Sequence, residues 1–168
     1  EIVKKFGGIH AFMNWKKPLL TDSGGFQILS LSSFMKTSNE GVTFRSHIDG
    51  SKHYFTPESV MEVQQILGAD IIMALDEMAP HSADLNMALS SMKRTTQWAK
   101  RCRGAHKDGR QTLFGIIQGG VFKHLRDQSV KEIVDIGFNG YAIGGLSIGE
   151  EINLMREIAR HTTDQLPS

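Results

Sequence analysis

The sequence predicts an α/β fold: a parallel sheet built from about four strand–helix units, with a β-hairpin inserted near residues 42–55. Three observations carry this. Short apolar runs recur at Ile71–Leu75, Leu113–Ile117 and Tyr141–Ile143, and the first is too apolar for a half-exposed strand. A stretch of helical length follows each run. Each run also ends on polar or glycine-rich residues, so similar chemistry returns at the same end of successive strands. Alternating strand and helix imply right-handed βαβ units. Ligands of such sheets bind outside the C-terminal ends of the strands. Four units make either an open sheet or half of a closed eight-stranded barrel.

The elements follow in order. Residues 18–21 form a short strand leading into Asp22-Ser23-Gly24-Gly25-Phe26-Gln27. Residues 42–47 and 52–55 pair as a hairpin through Ile48-Asp49-Gly50-Ser51, where Asp-Gly is a strong turn signal. Thr56 caps a helix with Pro57 at its first position, Glu58 in its first turn and Gly68 just past its end. Val60, Met61, Ile66 and Leu67 form its apolar face. A buried strand over 70–75 precedes a helix over 84–103. Strand 112–117, helix 122–136 closed by Gly137, strand 140–143 and a last helix over 150–164 complete the series. Phe114, Phe122 and Phe138 are read as core residues.

Composition bounds the function. With 168 residues and 40% hydrophobic content, the chain can build one sizeable core. A net charge of +1 generates no global field that would advertise a nucleic-acid partner. The single Cys102 excludes an internal disulfide and a multi-cysteine zinc site within this segment, and a reducing, cytoplasmic setting is expected. No apolar run approaches the ~20 residues of a membrane span. The chain begins at Glu1 without methionine and reads as a piece of something longer.

The strand-end motifs carry the chemistry. In Asp22-Ser23-Gly24-Gly25-Phe26, a carboxylate, two glycines that permit close approach and an aromatic face suit a planar polar ligand such as a nucleobase. Guanine, the base implied by the family resemblance of these motifs, presents N1–H and N2–H₂ donors on one edge and the O6 acceptor beside them. An ionised carboxylate accepts both donors at once, and Asp76 is the candidate. The Gln118 amide and the Gly145 N–H can donate to O6. Adenine would reverse this pattern, and losing a bidentate pair costs about 1–3 kcal/mol. Phe26 would stack on the base, worth roughly 1–3 kcal/mol.

Five motifs in order, namely 22–27, 46–51, Asp76-Glu77, 115–120 and 144–150, strongly resemble the tRNA-guanine transglycosylase (queuine tRNA-ribosyltransferase) family. The resemblance covers essentially the whole chain. It implies part of a TIM (β/α)₈ barrel that exchanges the guanine at the wobble position of tRNA through a covalent ribosyl-aspartate. It implies Asp22 as the acid/base residue, with Ser23, Gly24, Gly25, Phe26, Asp76, Gln118, Gly145 and Leu146 lining the base site. The family's nucleophilic aspartate and its structural zinc site fall further along, outside this segment, and no organic cofactor is implied. Implied partners are tRNA, guanine and 7-deazaguanine bases, and a second copy in a homodimer of the full-length protein.

Two departures matter. Met78 stands where bacterial members commonly carry cysteine, and Phe26 where some carry tyrosine. Ile148 stands where users of queuine, with its bulky cyclopentenediol, commonly carry glycine; the resemblance is therefore to the bacterial type, which takes 7-aminomethyl-7-deazaguanine (preQ1). Plainer readings compete at several positions. Asp22 can be a turn aspartate, Gln118 a satisfied buried amide, and His47, Asp49 and His53 simple hairpin residues rather than a metal site. Glu77 points away from the pocket if Asp76 points in. The basic window from Lys93 to Arg110, relieved only by Asp108, is a solvated helix face or a phosphate-contacting one. Rival functions are a non-catalytic RNA-binding accessory subunit of the same family and an unrelated barrel enzyme binding phosphate at Gly144-Gly145.

Overall fold

Strand and helix alternate along most of the chain as the sequence predicts. A computed structural model describes residues 1–25, 27, 34–107 and 109–167. The stacking face expected of Phe26 and the lone carboxylate of Asp108 in the basic window lie outside the described residues. Strand β1 (Leu20–Thr21) leads into the first motif. Three antiparallel strands follow, β2 (Met35–Thr37), β3 (Val42–Arg45) and β4 (Lys52–Phe55). The chain then runs through α3 (Pro57–Leu67), β5 (Ile71–Met73), α4 (Leu85–Ala105), β6 (Thr112–Ile117), α5 (Lys123–Ile136), β7 (Gly140–Ile143) and α6 (Ile152–Thr163). Ahead of β1 lie two short helices, α1 (Ile2–Lys5) and α2 (Ile9–Met13), for which the sequence reading proposed nothing.

The parallel sheet has the order β1-β5-β6-β7. Its register pairs Leu20 with Ile71, Met73 with Phe114 and Ile116 with Ala142. This is the sheet of a partial barrel, with successive strands neighbouring one another in chain order. The expected hairpin is present but gains a third strand. Residues 35–37 pair with β3 through Met35–Phe44 and Thr37–Val42. A three-residue strand has too little alternation to stand out by itself, and its partner decides it.

Helix boundaries follow local chemistry. Thr56 and Ser59 form a reciprocal capping box around Pro57, and Gly68 closes α3 in the left-handed region at φ 72°. The Asp84 side chain accepts from the Met87 N–H to start α4. The buried residues of α4 are Ala88, Ser91, Met92, Thr95, Thr96, Trp98, Ala99 and Cys102, the three- and four-residue spacing of one helix face. That face packs on the outer side of the sheet, where Trp98, Met61, Ile72, Leu113, Ile117 and Ile133 are fully buried. Each such side chain contributes roughly 1.5–3 kcal/mol. Phe138 joins this core, whereas Phe114 and Phe122 are only partly buried. The α3 face also differs from expectation: Gln64 is buried beside Val60 and Met61, while Ile66 and Leu67 are only partly covered. The Gln64 amide serves backbone groups, donating to the Met73 carbonyl at 2.7 Å.

The register sends Leu20, Met73, Ile116 and Ala142 to the opposite face. Leu20 there is 47% exposed. The helices cover one side of the sheet, and the other side carries the cavity described next.

Candidate active site

Four of the five motifs sit where the parallel strands end, and the fifth, 46–51, turns the hairpin. Asp22 follows β1, Asp76 follows β5, Gln118 follows β6, and Gly144-Gly145 follow β7. A cavity of about 480 Å³ opens over these ends, lined by Asp22, Asp76, Met78, Ile116, Gly145 and Ile148, among others. A second cavity, of about 350 Å³, lies between the strand ends, the antiparallel sheet and α4, and Asp76 and Met78 stand in both walls. The larger cavity is the better candidate site, because both aspartates and the glycine pair face it together.

Asp76 is a strongly perturbed group in the wall of this cavity. Burial pushes its carboxyl up to about 6, the nearby carboxylate of Asp22 adds to the rise, and a hydrogen bond from Gln118 opposes it. Its residue keeps some accessible surface into the two cavities, but protein atoms crowd around the carboxyl. Gln118 donates from Nε2 to Asp76 Oδ2 at 2.7 Å. Gln118 is itself only 1% exposed, and its backbone N–H donates to Ser129 Oγ on α5 at 3.1 Å. Sequence reasoning placed the Gln118 amide directly against a bound base; here that amide first engages the carboxylate beside it.

Glycines make this packing possible. A Cβ on Gly25 would lie 2.8 Å from the Asp76 carbonyl oxygen and 3.0 Å from its Oδ1. A Cβ on Gly144 would lie 2.5 Å from Gln118 Nε2, and one on Gly145, at φ +65°, would lie 2.4 Å from Gln118 Oε1. The glycine pair therefore makes room for the carboxamide as well as for a ligand.

Asp22 is exposed, and its Oδ1 accepts from the Ser23 N–H at 2.7 Å. Ser23 is buried in the same loop, and its hydroxyl has no partner among the described residues. Glu77 turns away from the candidate base site, pairing with Arg94 while its N–H donates to Thr95 Oγ1 at 2.9 Å. The Asp49 carboxylate closes the hairpin turn, accepting from Ser51 Oγ at 2.7 Å.

Two residues escaped sequence reasoning. The Glu150 carboxylate accepts from the backbone N–H groups of Ser147 and Ile148, the latter at 3.0 Å. This holds Ser147 at a φ of 61°, a conformation rare outside glycine. The only sequence signal is a glutamate three residues after that serine. Arg126, fully buried on α5, donates to four backbone carbonyls beneath the site. Burial pulls its guanidinium down to about 10, and Glu150 opposes the fall. Nothing marks it in sequence but its place on a helix following a site strand.

Three arginines of the basic window are engaged in the fold, while Lys93, Lys100 and Lys107 are exposed. Arg94 pairs with Glu77, Arg101 with Glu58 and the carbonyls of Asn39 and Glu40, and Arg103 with the Gly137 carbonyl. Helix α4 begins at the site edge and runs antiparallel to the strands, so Lys100 lies about 22 Å along it, toward the opposite edge. For zinc, the residues present do not fit. Burial pushes the Cys102 thiol up to about 12, and among the described residues no group of three His, Cys, Asp or Glu could hold a metal ion.

Fold and site together define a barrel-type α/β protein whose strand ends hold a carboxylate–carboxamide pair under a glycine turn. The chain belongs to the queuine tRNA-ribosyltransferase family, whose model matches residues 1–168. It is 57% identical over its whole length to a queuine tRNA-ribosyltransferase of Ruminiclostridium cellulolyticum, of which it covers 45%. It is 58% identical to that of Caldanaerobacter subterraneus and 56% identical to that of Pelotomaculum thermopropionicum, again covering 45% of each while 99% of its own length is matched. The chain thus spans less than half the length of these curated relatives. Among the described residues no helix is long and apolar enough to cross a membrane.

Proposed function

We propose that the full-length protein is a tRNA-guanine transglycosylase that replaces the guanine at wobble position 34 of tRNAs with GUN anticodons by preQ1. The observation that carries this reading is the Asp76–Gln118 pair, joined at 2.7 Å beneath Gly144-Gly145 and facing a cavity of about 480 Å³. Ionised Asp76 accepts the N1–H and N2–H of the base. One N–H of the Gln118 carboxamide goes to Asp76 and leaves the second for O6, beside the Gly145 N–H. Asp22, exposed at the cavity wall, manages protons on the departing and incoming bases. The ribosyl group passes through a covalent ester with an aspartate contributed further along the protein. The family's zinc and its dimer contacts are likewise assigned to the remainder, so the 168-residue segment alone exchanges no base.

The choice of preQ1 rests on the 144–150 loop. The Ser147 N–H binds Glu150, and because a trans peptide sets C=O opposite N–H, the Leu146 carbonyl points away from Glu150. That carbonyl is an acceptor for the aminomethyl cation. Ile148 lines the cavity with a stiff β-branched side chain. Accommodating a cyclopentenediol against it costs about 1–3 kcal/mol. Competition between preQ1 and queuine, with the full-length protein and a tRNA whose anticodon begins with guanine, tests both levels. Preference for preQ1, with gain of queuine use on Ile148→Gly, is the expected result. Equal or better use of queuine overturns the steric argument, and no exchange of any base overturns the function.

A further inference from the structure

We infer that Arg126 is a positioning residue for base recognition: it fixes the direction in which the Gly145 and Leu146 N–H groups face the base. The inference rests on the proposed base exchange and extends it to a side chain that lines no part of the cavity.

The guanidinium binds the backbone at four points. Nη1 donates to the Gly144 carbonyl at 2.8 Å and to the Ile117 carbonyl at 3.0 Å. Nη2 donates to the Gly145 carbonyl at 3.4 Å, and Nε to the Gly120 carbonyl at 2.8 Å. These bonds draw the ends of β6 and β7 onto one rigid planar fork. The peptide bonds are trans, so each carbonyl is opposed by the N–H of the following residue. With the Gly144 carbonyl turned down to Arg126, the Gly145 N–H turns the other way. With the Gly145 carbonyl on the same fork, the Leu146 N–H does so too. Gly144, Gly145 and Leu146 line the cavity, so the donors are aimed from below.

A glycine pair needs such an anchor. Without side chains, Gly144 and Gly145 have little local preference of their own, and either peptide plane can rotate at small cost. A lysine cannot replace the fork, because its single ammonium cannot reach carbonyls on two strand ends with the same planar geometry. Ser129, one turn further along α5, accepts the Gln118 N–H at 3.1 Å, so the same helix face steadies both base-reading strand ends.

The test uses the full-length protein carrying Arg126→Lys or Arg126→Ala, with KM for guanine and for tRNA measured separately. Arg126→Lys is expected to raise KM for the base at least tenfold while KM for tRNA changes less than twofold. Millimolar guanidinium, below denaturing concentrations, is expected to restore part of the base exchange lost by Arg126→Ala. A folded Arg126→Lys protein with wild-type KM for the base overturns the inference. So does an equal loss toward base and tRNA without guanidinium rescue, or the failure of both variants to fold, either of which reduces Arg126 to a structural part. Absence of exchange by the unmutated protein overturns the proposed function instead.

Discussion

Two aspartates bracket β5, and they behave in opposite ways. Asp70 stands where the strand begins. Its carboxylate accepts from the Leu19 N–H at 2.8 Å and meets His10 Nε2 at 2.9 Å, and the backbone bond first, then the histidine, hold its carboxyl below the ordinary range. Asp76 stands just past the strand end, where burial and a neighbouring carboxylate push it up to about 6. The same residue type, six positions along, is an anchor at one end and an unsettled group at the other. At its beginning the strand meets donors and solvent; at its end the chain buries a carboxylate with one amide and leaves the remaining acceptor capacity for a ligand. The first edge ties the strand to its neighbours, and the second holds the perturbed carboxyl that marks a candidate site.

The largest break in this comparison is expected at Asp76. In the full-length protein, Asp76→Asn sets a donor against the donors of the base, and loses about 1–3 kcal/mol of base affinity, roughly ten- to hundredfold. The sign for stability is the reverse. The folded carboxyl binds its proton up to about 6 and the unfolded one only to 3.8, so Asp76 costs stability as pH rises between those values. Asp76→Asn is therefore expected to stabilise the protein above pH 6 by at most about 3 kcal/mol. Denaturant titrations at pH 4 and pH 8 check this, with the gain present only at the higher pH. In the unmutated protein, base affinity falls as pH drops below about 6, where the carboxyl takes up its proton. A flat affinity profile from pH 5 to pH 8 would show that ionised Asp76 is not the reader.

A middle effect is expected at Gly25, which touches Asp76 from the β1 side. Gly25→Ala places a methyl 2.8 Å from the Asp76 backbone oxygen, and overpacking of this kind costs about 1–3 kcal/mol. Loss of base affinity should accompany the loss of stability, because the displaced group is the proposed reader. Calorimetry with guanine, alongside thermal unfolding, separates this from loss of stability alone.

The smallest effect is expected at Asp70. Its folded carboxyl lies below the ordinary value, so its contribution is present above that value and fades as pH falls through the folded one. Asp70→Asn should lower the melting midpoint slightly at pH 7, leave it unchanged in strong acid, and leave base affinity untouched. A change in base affinity would mean that the two edges of the sheet are coupled.

Much of this molecule was legible before its structure. Thr56, Pro57 and Gly68 bound α3 by local chemistry alone, and the apolar runs at 112–117 and 140–143 coincide with β6 and β7. Those signals survive in sequence because capping and strand burial depend on near neighbours and on periodicity. The five motifs likewise identified the family, since their order along the chain is itself a sequence property. Tertiary structure alone decided the rest. It paired Met35–Thr37 with β3, joined Gln118 to Asp76 across 42 residues, and drew the carbonyls of Gly144 and Gly145 onto Arg126. It also turned the cations of Arg94, Arg101 and Arg103 into struts within the fold. Hydrogen-bond partners and desolvation are properties of groups brought together by folding. A linear pattern can therefore show which residues reach a strand end, while only the packed chain decides which of them are charged, which are held, and which are left open.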